Sequence, residues 1–173
     1  MPNWCNNNAT ITFKSSKAAD EFAKACVDVP SMPVPGTMFD MTEPENLFQH
    51  YLPEPRPVGD SWYDWRISNW GTKWPPEIRD VLRLGDNMVN ITFETAWGPP
   101  IEWFEACGKL HNWEWQVEYI ETGMAFAGQV EGNIHGITAQ DSYKDTDEMY
   151  IEIAEHFGIS FEDFDDEDSK PTP

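Results

Sequence analysis

Residues 62–74 read WYDWRISNWGTKW. No other stretch is as dense in side chains able to hold a ligand. Trp65, Arg66, Asn69, Trp70, Lys73 and Trp74 fall within ten residues, and Trp97 stands further on in TAWGPP at 95–100. Indole planes interleaved with a guanidinium and an ammonium can stack a nucleobase or grip a small anion. The same residues suit a structural clasp. Trp62, Trp65 and Asn69 recur at i, i+3 and i+7, one face of a helix. Asp60 or Ser61 can cap its start, and Gly71 can end it. An indole is also a large amphipathic filler whose N–H seeks a buried acceptor. The clasp is the favoured use. The alternative is a small-molecule or nucleotide site lined by Trp65, Trp70, Trp74 and Trp97, with Arg66, Asn69 and Lys73 as its polar members. In TAWGPP, Pro99 and Pro100 remove N–H donors from the helix start they open, which disfavours anion binding there.

The second concentration is acidic. The chain has 31 acidic and 11 basic residues, net −20, and 12 of the acids lie in residues 141–173 against two lysines. The end reads FEDFDDED, with Glu162, Asp163, Phe164, Asp165, Asp166, Glu167 and Asp168 in unbroken succession. Acidic runs with aromatics can dock basic grooves, and they also occur as solvated tails. A chain this acidic repels a phosphate backbone, so direct nucleic-acid binding is not expected. It is drawn instead to a basic surface, including one that ordinarily holds nucleic acid. These seven residues are the expected partner-binding segment.

Little else suggests catalysis. The cysteines at 5, 26 and 107 are odd in number and form no CxxC, so buried reduced thiols are expected rather than a metal site. The histidines at 50, 111, 135 and 156 are scattered. There is no GxSxG, P-loop, GxGxxG or HExxH. No enzyme, metal or cofactor is expected. No run of about 18 apolar residues occurs, and MPNWCNNNAT lacks the basic and apolar regions of a secretory signal. A cytoplasmic protein with no membrane contact is expected.

The elements that must position these residues follow from periodicity. ATITFK (9–14) alternates as a strand. A helix over about 16–27, capped by Ser15 or Ser16, carries Ala19, Phe22, Ala23 and Cys26 on one stripe. Residues 30–57 hold seven of the 14 prolines and read as an insertion, with a short helix in PENLFQHY (44–51). After the Trp-rich helix, GDN divides a hairpin at 77–84 and 88–96. IEWFEACGKLH is a helix with Ile101, Phe104, Cys107 or Gly108, and Leu110 facing the core. WEWQVEYIE alternates with Trp113, Trp115, Val117 and Tyr119 inward. TGMAFAGQVEGN and IHGIT extend the sheet. SYKDTDEMYIEIAEHFG is a last helix, capped by Thr146 or Asp145, with Met149, Ile153 and Phe157 on its apolar face. The expected fold is α+β, a ferredoxin-like split βαβ with one antiparallel sheet. It has a Pro/Trp-rich insertion after the first helix and an extra C-terminal helix. Residues 1–158 form a single domain with the insertion at 28–76, and 159–173 form an acidic tail. One sheet face must be wet, covered or used. The tryptophans, the insertion and the last helix are the candidates to cover it.

Five segments in this order carry a resemblance: MPNWCNN (1–7), MPVP (32–35), WYDWRISNWGTKW (62–74), FETAWGPP (93–100) and YIETGMAFAG (119–128). Together they resemble the YubB-like or Api-type proteins of bacteriophages and conjugative plasmids, whose later part is ferredoxin-like. The resemblance implies an accessory protein of a mobile element acting in the host cytoplasm, and it implies no reaction. The functional expectation is a non-enzymatic, acidic inhibitor that binds a basic surface on a host defence or nucleic-acid-processing protein. Its oligomeric state is left open.

Overall fold

A computed structural model describes residues 3–28, 46–55 and 62–160. In chain order the elements are β1 (Trp4–Thr12), α1 (Ser16–Asp28), α2 (Leu47–Tyr51), α3 (Trp62–Trp70), β2 (Glu77–Arg83), β3 (Met88–Ala96), α4 (Ile101–His111), β4 (Glu114–Glu121), β5 (Phe126–Asn133), β6 (Gly136–Lys144) and α5 (Glu148–His156). The strands form one sheet in the order β2-β3-β1-β4-β5-β6, antiparallel at every junction. The first four strands with α1 and α4 make the ferredoxin-like unit. β5 and β6 continue it as a meander.

Alternation decides which residues face the helices. Cys5, Ala9 and Ile11 from β1 meet Val89, Ile91 and Phe93 from β3 and Trp115 and Val117 from β4 on one buried face. Ala19, Phe22 and Cys26 of α1 and Trp103, Phe104 and Cys107 of α4 complete this core. The Ser15 hydroxyl accepts from the Ala18 N–H at 3.2 Å and caps α1, as its position before the apolar stripe predicts.

Two glycines shape this core around one side chain. A Cβ at Gly132 would run into the Trp115 ring, and one at Gly108 would lie 2.7 Å from Trp115 Nε1. Gly108 therefore sits inside a helix, where glycine is ordinarily unfavourable, because the indole needs its space.

The described part of the insertion packs on the helix layer. Phe48 packs on Trp103 and Trp70, while Tyr51 packs on Phe22 and Trp113. α2 thereby seals the groove between α1 and α4. Its backbone also receives two indole donors: Trp103 Nε1 bonds Phe48 O at 3.2 Å, and Trp70 Nε1 bonds Leu52 O at 3.1 Å. Pro44 and the expected caps Asp60 and Ser61 lie outside the described residues.

Several expectations need correction. β1 begins at Trp4 rather than residue 9, because Asn6 and Asn8 tolerate the wet face while Asn7 is bonded inside. In α4 the core face uses Trp103, and Leu110 is 65% exposed, since the helix meets the sheet through 103, 104, 107 and 108. Ser142–Lys144 belong to β6, not to the last helix. α5 has Asp147 at its N-cap rather than Thr146 or Asp145, and buries Tyr150, Ile153 and Ala154, with Met149 only half-buried.

α5 lies on the opposite sheet face, over Ile120 and Ala127, with Tyr143, Phe157 and Ile159 around it. It covers one part of that face only. Toward β1, β3 and β2 the same face is mostly polar among the described residues, with Leu82 and Met88 as apolar members.

Candidate functional site

α3 and the turn after it divide the Trp-rich motif into an interior half and a surface half. Trp70 is 0% exposed and sits edge-on to Trp65. Arg66 is 7% exposed. It donates from Nε and Nη2 to Glu54 at 3.2 and 3.0 Å, and from Nη1 to Lys73 O at 3.3 Å. Its guanidinium also lies 5.1 Å from the Trp62 ring centroid and 5.0 Å from that of Trp70. Asn69 turns back to its own helix, its amide donating to Trp65 O at 2.8 Å. These contacts tie the parts of the insertion to one another, and Trp70 carries them into the main core. Trp70 and Arg66 have no open face for a ligand.

Gly71 ends α3 with φ +77°, and the Thr72 hydroxyl donates to Ala96 O at 3.0 Å. That bond brings the turn against the end of β3. Lys73 Nζ consequently lies 4.0 Å from the Trp74 ring centroid and 3.9 Å from that of Trp97. Trp4 stacks obliquely on Trp74 with centroids 6.1 Å apart. Trp97 is 46% exposed and holds φ +72°. A bulky side chain in that region is a backbone outlier. Its N–H donates to Asn3 O at 2.9 Å, which fixes the conformation. Of the seven motif residues, the structure thus groups Lys73, Trp74 and Trp97 at the surface and keeps Arg66 and Trp70 inside. Trp4 joins the surface group. A strand expected to begin at residue 9 gave no reason to place it there.

Under this group runs a buried polar network. Asn7 Nδ2 donates to Cys5 O and to Thr95 Oγ1, both at 2.9 Å, and Thr95 Oγ1 donates to Gly98 O at 2.7 Å. The Glu121 carboxylate, also buried, accepts from the Gly123 and Met124 N–H groups at 2.8 and 2.6 Å. The network fixes the loops at this end of the sheet and leaves no group facing a ligand.

The polar sheet face adjoins the aromatic group. Trp4 pairs with Ala96, and two residues on Asn6 pairs with Glu94. Asp80, Thr92, Asn8, Glu118, Gln129 and Asp141 stand in one row across the six strands. Asn90, Thr10, Gln116 and Glu131 stand in the next. Amides tie the rows together: Asn90 Nδ2 donates to Asn8 Oδ1 at 2.6 Å and to Thr10 Oγ1 at 3.1 Å, and Gln129 Nε2 to Glu118 Oε1 at 2.8 Å. Arg79 pairs with Glu77 and Glu94, and His156 meets Glu118 at 3.2 Å. The partner-binding segment expected at Glu162–Asp168 lies outside the described residues.

The thiols are inert by burial. Desolvation raises Cys5 and Cys107 well above the ordinary range, Cys5 further because of the Glu121 charge. It pushes Cys26 up to about 12, against a smaller lowering by a backbone hydrogen bond. A thiol held protonated is a poor nucleophile. Among the described residues no three His, Cys, Asp or Glu side chains are grouped to hold a metal ion, and no helix is long and apolar enough to cross a membrane.

Residues 69–156 match the family described as the ferredoxin-like domain in Api92-like protein. The chain belongs to that family. The matched span runs from the end of α3 through α5, so it includes Lys73, Trp74, Trp97 and the polar-face residues of β2 to β6, while Trp4 and the β1 residues of that face lie before it. A crystal structure of protein api92 from Yersinia pseudotuberculosis is similar in fold, with a TM-score of 0.52 at 11% identity, over 83% of this chain and 98% of that one. No curated protein matches the chain.

Proposed function

We propose that this Api92-like chain is a non-enzymatic binding protein that presents an acidic surface to a basic partner. The observation that carries the reading is the acidic sheet face beside α5, which no other helix among the described residues covers. Asp80, Glu94, Glu118, Glu131 and Asp141 share that face, and Arg79 and His156 reach it already paired with carboxylates. A face of this charge favours a cationic surface and disfavours phosphate. The net charge of −20 adds long-range attraction of the same sign. A proposed setting is a phage or plasmid protein that occupies the basic site of a host defence or nucleic-acid-processing protein in the cytoplasm. The acidic Glu162–Asp168 run would extend the same attraction.

Affinity capture from a bacterial lysate at low and high salt tests the reading. The expected result is a basic protein retained at low salt, released at high salt, and lost when Asp80, Glu118 and Glu131 are replaced by lysine. Capture that ignores both salt and those substitutions would overturn it. Truncation after residue 160 separates the contribution of the tail from that of the sheet.

A further inference from the structure

Lys73 is placed unusually for a cation in so acidic a chain. Among the described residues it makes no ion pair, and its ammonium sits between two indole faces at 4.0 and 3.9 Å from their centroids. The backbone that carries both indoles is pinned, and the Trp74 ring also packs on Trp4. The Arg66 guanidinium anchors the Lys73 carbonyl, Thr72 anchors the turn to Ala96 O, and Asn3 O anchors the Trp97 N–H. Trp97 keeps a positive φ while nearly half exposed. An exposed aromatic in a disfavoured conformation adds nothing evident to the core. Strain kept at the surface is an established mark of a functional position.

Two preorganised indole faces spaced to take an ammonium form the geometry that recognises alkylammonium ligands. We propose that the Trp74–Trp97 pair, flanked by Trp4, is a receptor for an alkylammonium group, the chemistry of lysine and its methylated forms on a basic partner, and that Lys73 is its built-in occupant. The flexible lysine stem can leave while the backbone beneath the indoles stays pinned. Glu94 stands two pairs along the β1–β3 ladder from Trp4 and is already paired with Arg79, so the preference for a cation rests on the indole faces themselves. The inference deepens the proposed reading of an acidic surface that binds basic partners, by naming the side chain it would take.

The sign of one substitution decides it. If Lys73 is an occupant, Lys73→Ala empties the receptor and strengthens binding. If Lys73 is itself the ligand-binding group of an anion site, the same substitution abolishes binding. The probes are choline, its neutral carbon isostere 3,3-dimethyl-1-butanol, and inorganic phosphate. They are titrated against the full chain, with tryptophan indole N–H resonances as readout. The expected result is choline binding that tightens about two- to fivefold in Lys73→Ala, the displacement of one exposed cation–π contact. The isostere should bind more weakly, and Trp97→Gly in the Lys73→Ala background should lose choline. Lys73→Gln serves as a second variant, and thermal melts confirm that each chain is folded. Equal binding of the isostere, weaker choline binding by Lys73→Ala, or a phosphate response present in wild type and absent in Lys73→Ala would each overturn the proposal. No partner takes part in these titrations. Failure here with salt-sensitive capture intact therefore sinks this inference alone.

Discussion

Arg66 and Glu54 form a two-point pair, Nε and Nη2 against the carboxylate at 3.2 and 3.0 Å, with side-chain exposures of 9% and 1%. Glu54 follows the insertion's α2 and Arg66 lies on α3, so the pair ties the end of α2 to α3. Two indoles cover the guanidinium, and water cannot compensate either charge if its partner goes.

Truncating one member should therefore be severe. Glu54→Ala or Arg66→Ala is expected to lower stability by about 3–5 kcal/mol, the range for an orphaned buried charge. Arg66→Lys should also destabilise, because an ammonium cannot reproduce the two parallel bonds. Urea denaturation of the three variants checks this. A loss under about 1 kcal/mol in both alanine variants would contradict the burial described.

Trp97 and Trp70 should respond in opposite ways. Trp97→Gly relieves a left-handed backbone that disfavours a side chain by roughly 1–2 kcal/mol, and this offsets the lost indole contacts. Its stability should stay within about 1 kcal/mol of wild type. Trp70→Ala opens a cavity beneath Phe48 and Trp65 and should cost about 3–5 kcal/mol. Differential scanning calorimetry of the two variants makes the comparison.

Gly132→Ala should lose stability by about 1–3 kcal/mol through overpacking against Trp115. The double variant Gly132→Ala/Trp115→Leu should recover part of that loss, because the clash is with the indole. A non-additive thermal shift is the readout.

Alkaline pH should weaken the fold. An unfolded Cys26 thiol ionises near the ordinary 9.0, whereas the folded one is held to about 12 by desolvation. Below about 9 both states are protonated and the full contribution is present. Between about 9 and 12 the unfolded state releases its proton first, so stability falls as pH rises. Burial raises Tyr119 and Tyr150 in the same sense. Melting temperatures from pH 7 to 11 should decline, more shallowly in Cys26→Ala, and a thiol reagent should label Cys26 only after denaturant is added.

Much of the frame was legible because it rests on periodicity. The β2–β3 hairpin, α1 with its Ser15 cap and the alternation of Trp113, Trp115, Val117 and Tyr119 are local patterns, and each is found where its pattern puts it. The ferredoxin-like order followed from them. What escaped depends on contacts far apart in sequence. Asn7 reads as polar and exposed until Thr95 and Phe93 meet it across a strand pair. Ile120 reads as a wet-face residue until α5 covers it. Trp4 could not be joined to Trp74 without the start of β1. The Trp motif mixed two jobs that spacing alone does not separate, because burial of Arg66 depends on Glu54, outside the motif. The acidic face was visible as net charge, but its position required the strand registers.

β1 is one of the two inner strands of the ferredoxin-like unit, beside β3, and precedes the unit's other strands in the chain. Its neighbours are β3 and β4, so Asn7 aligns with Phe93 on one side and Tyr119 on the other. On the ribosome the end of the strand at Thr12 waits 76 residues for its β3 partner Met88 and 102 for its β4 partner Glu114, a contact pattern that slows folding and lengthens exposure to other chains. The triplet Asn6-Asn7-Asn8 suits that interval. Its amides have low strand propensity and ample hydration, so the nascent segment gains little from pairing with strangers. Asn7 becomes an interior residue only when Thr95 arrives to receive it.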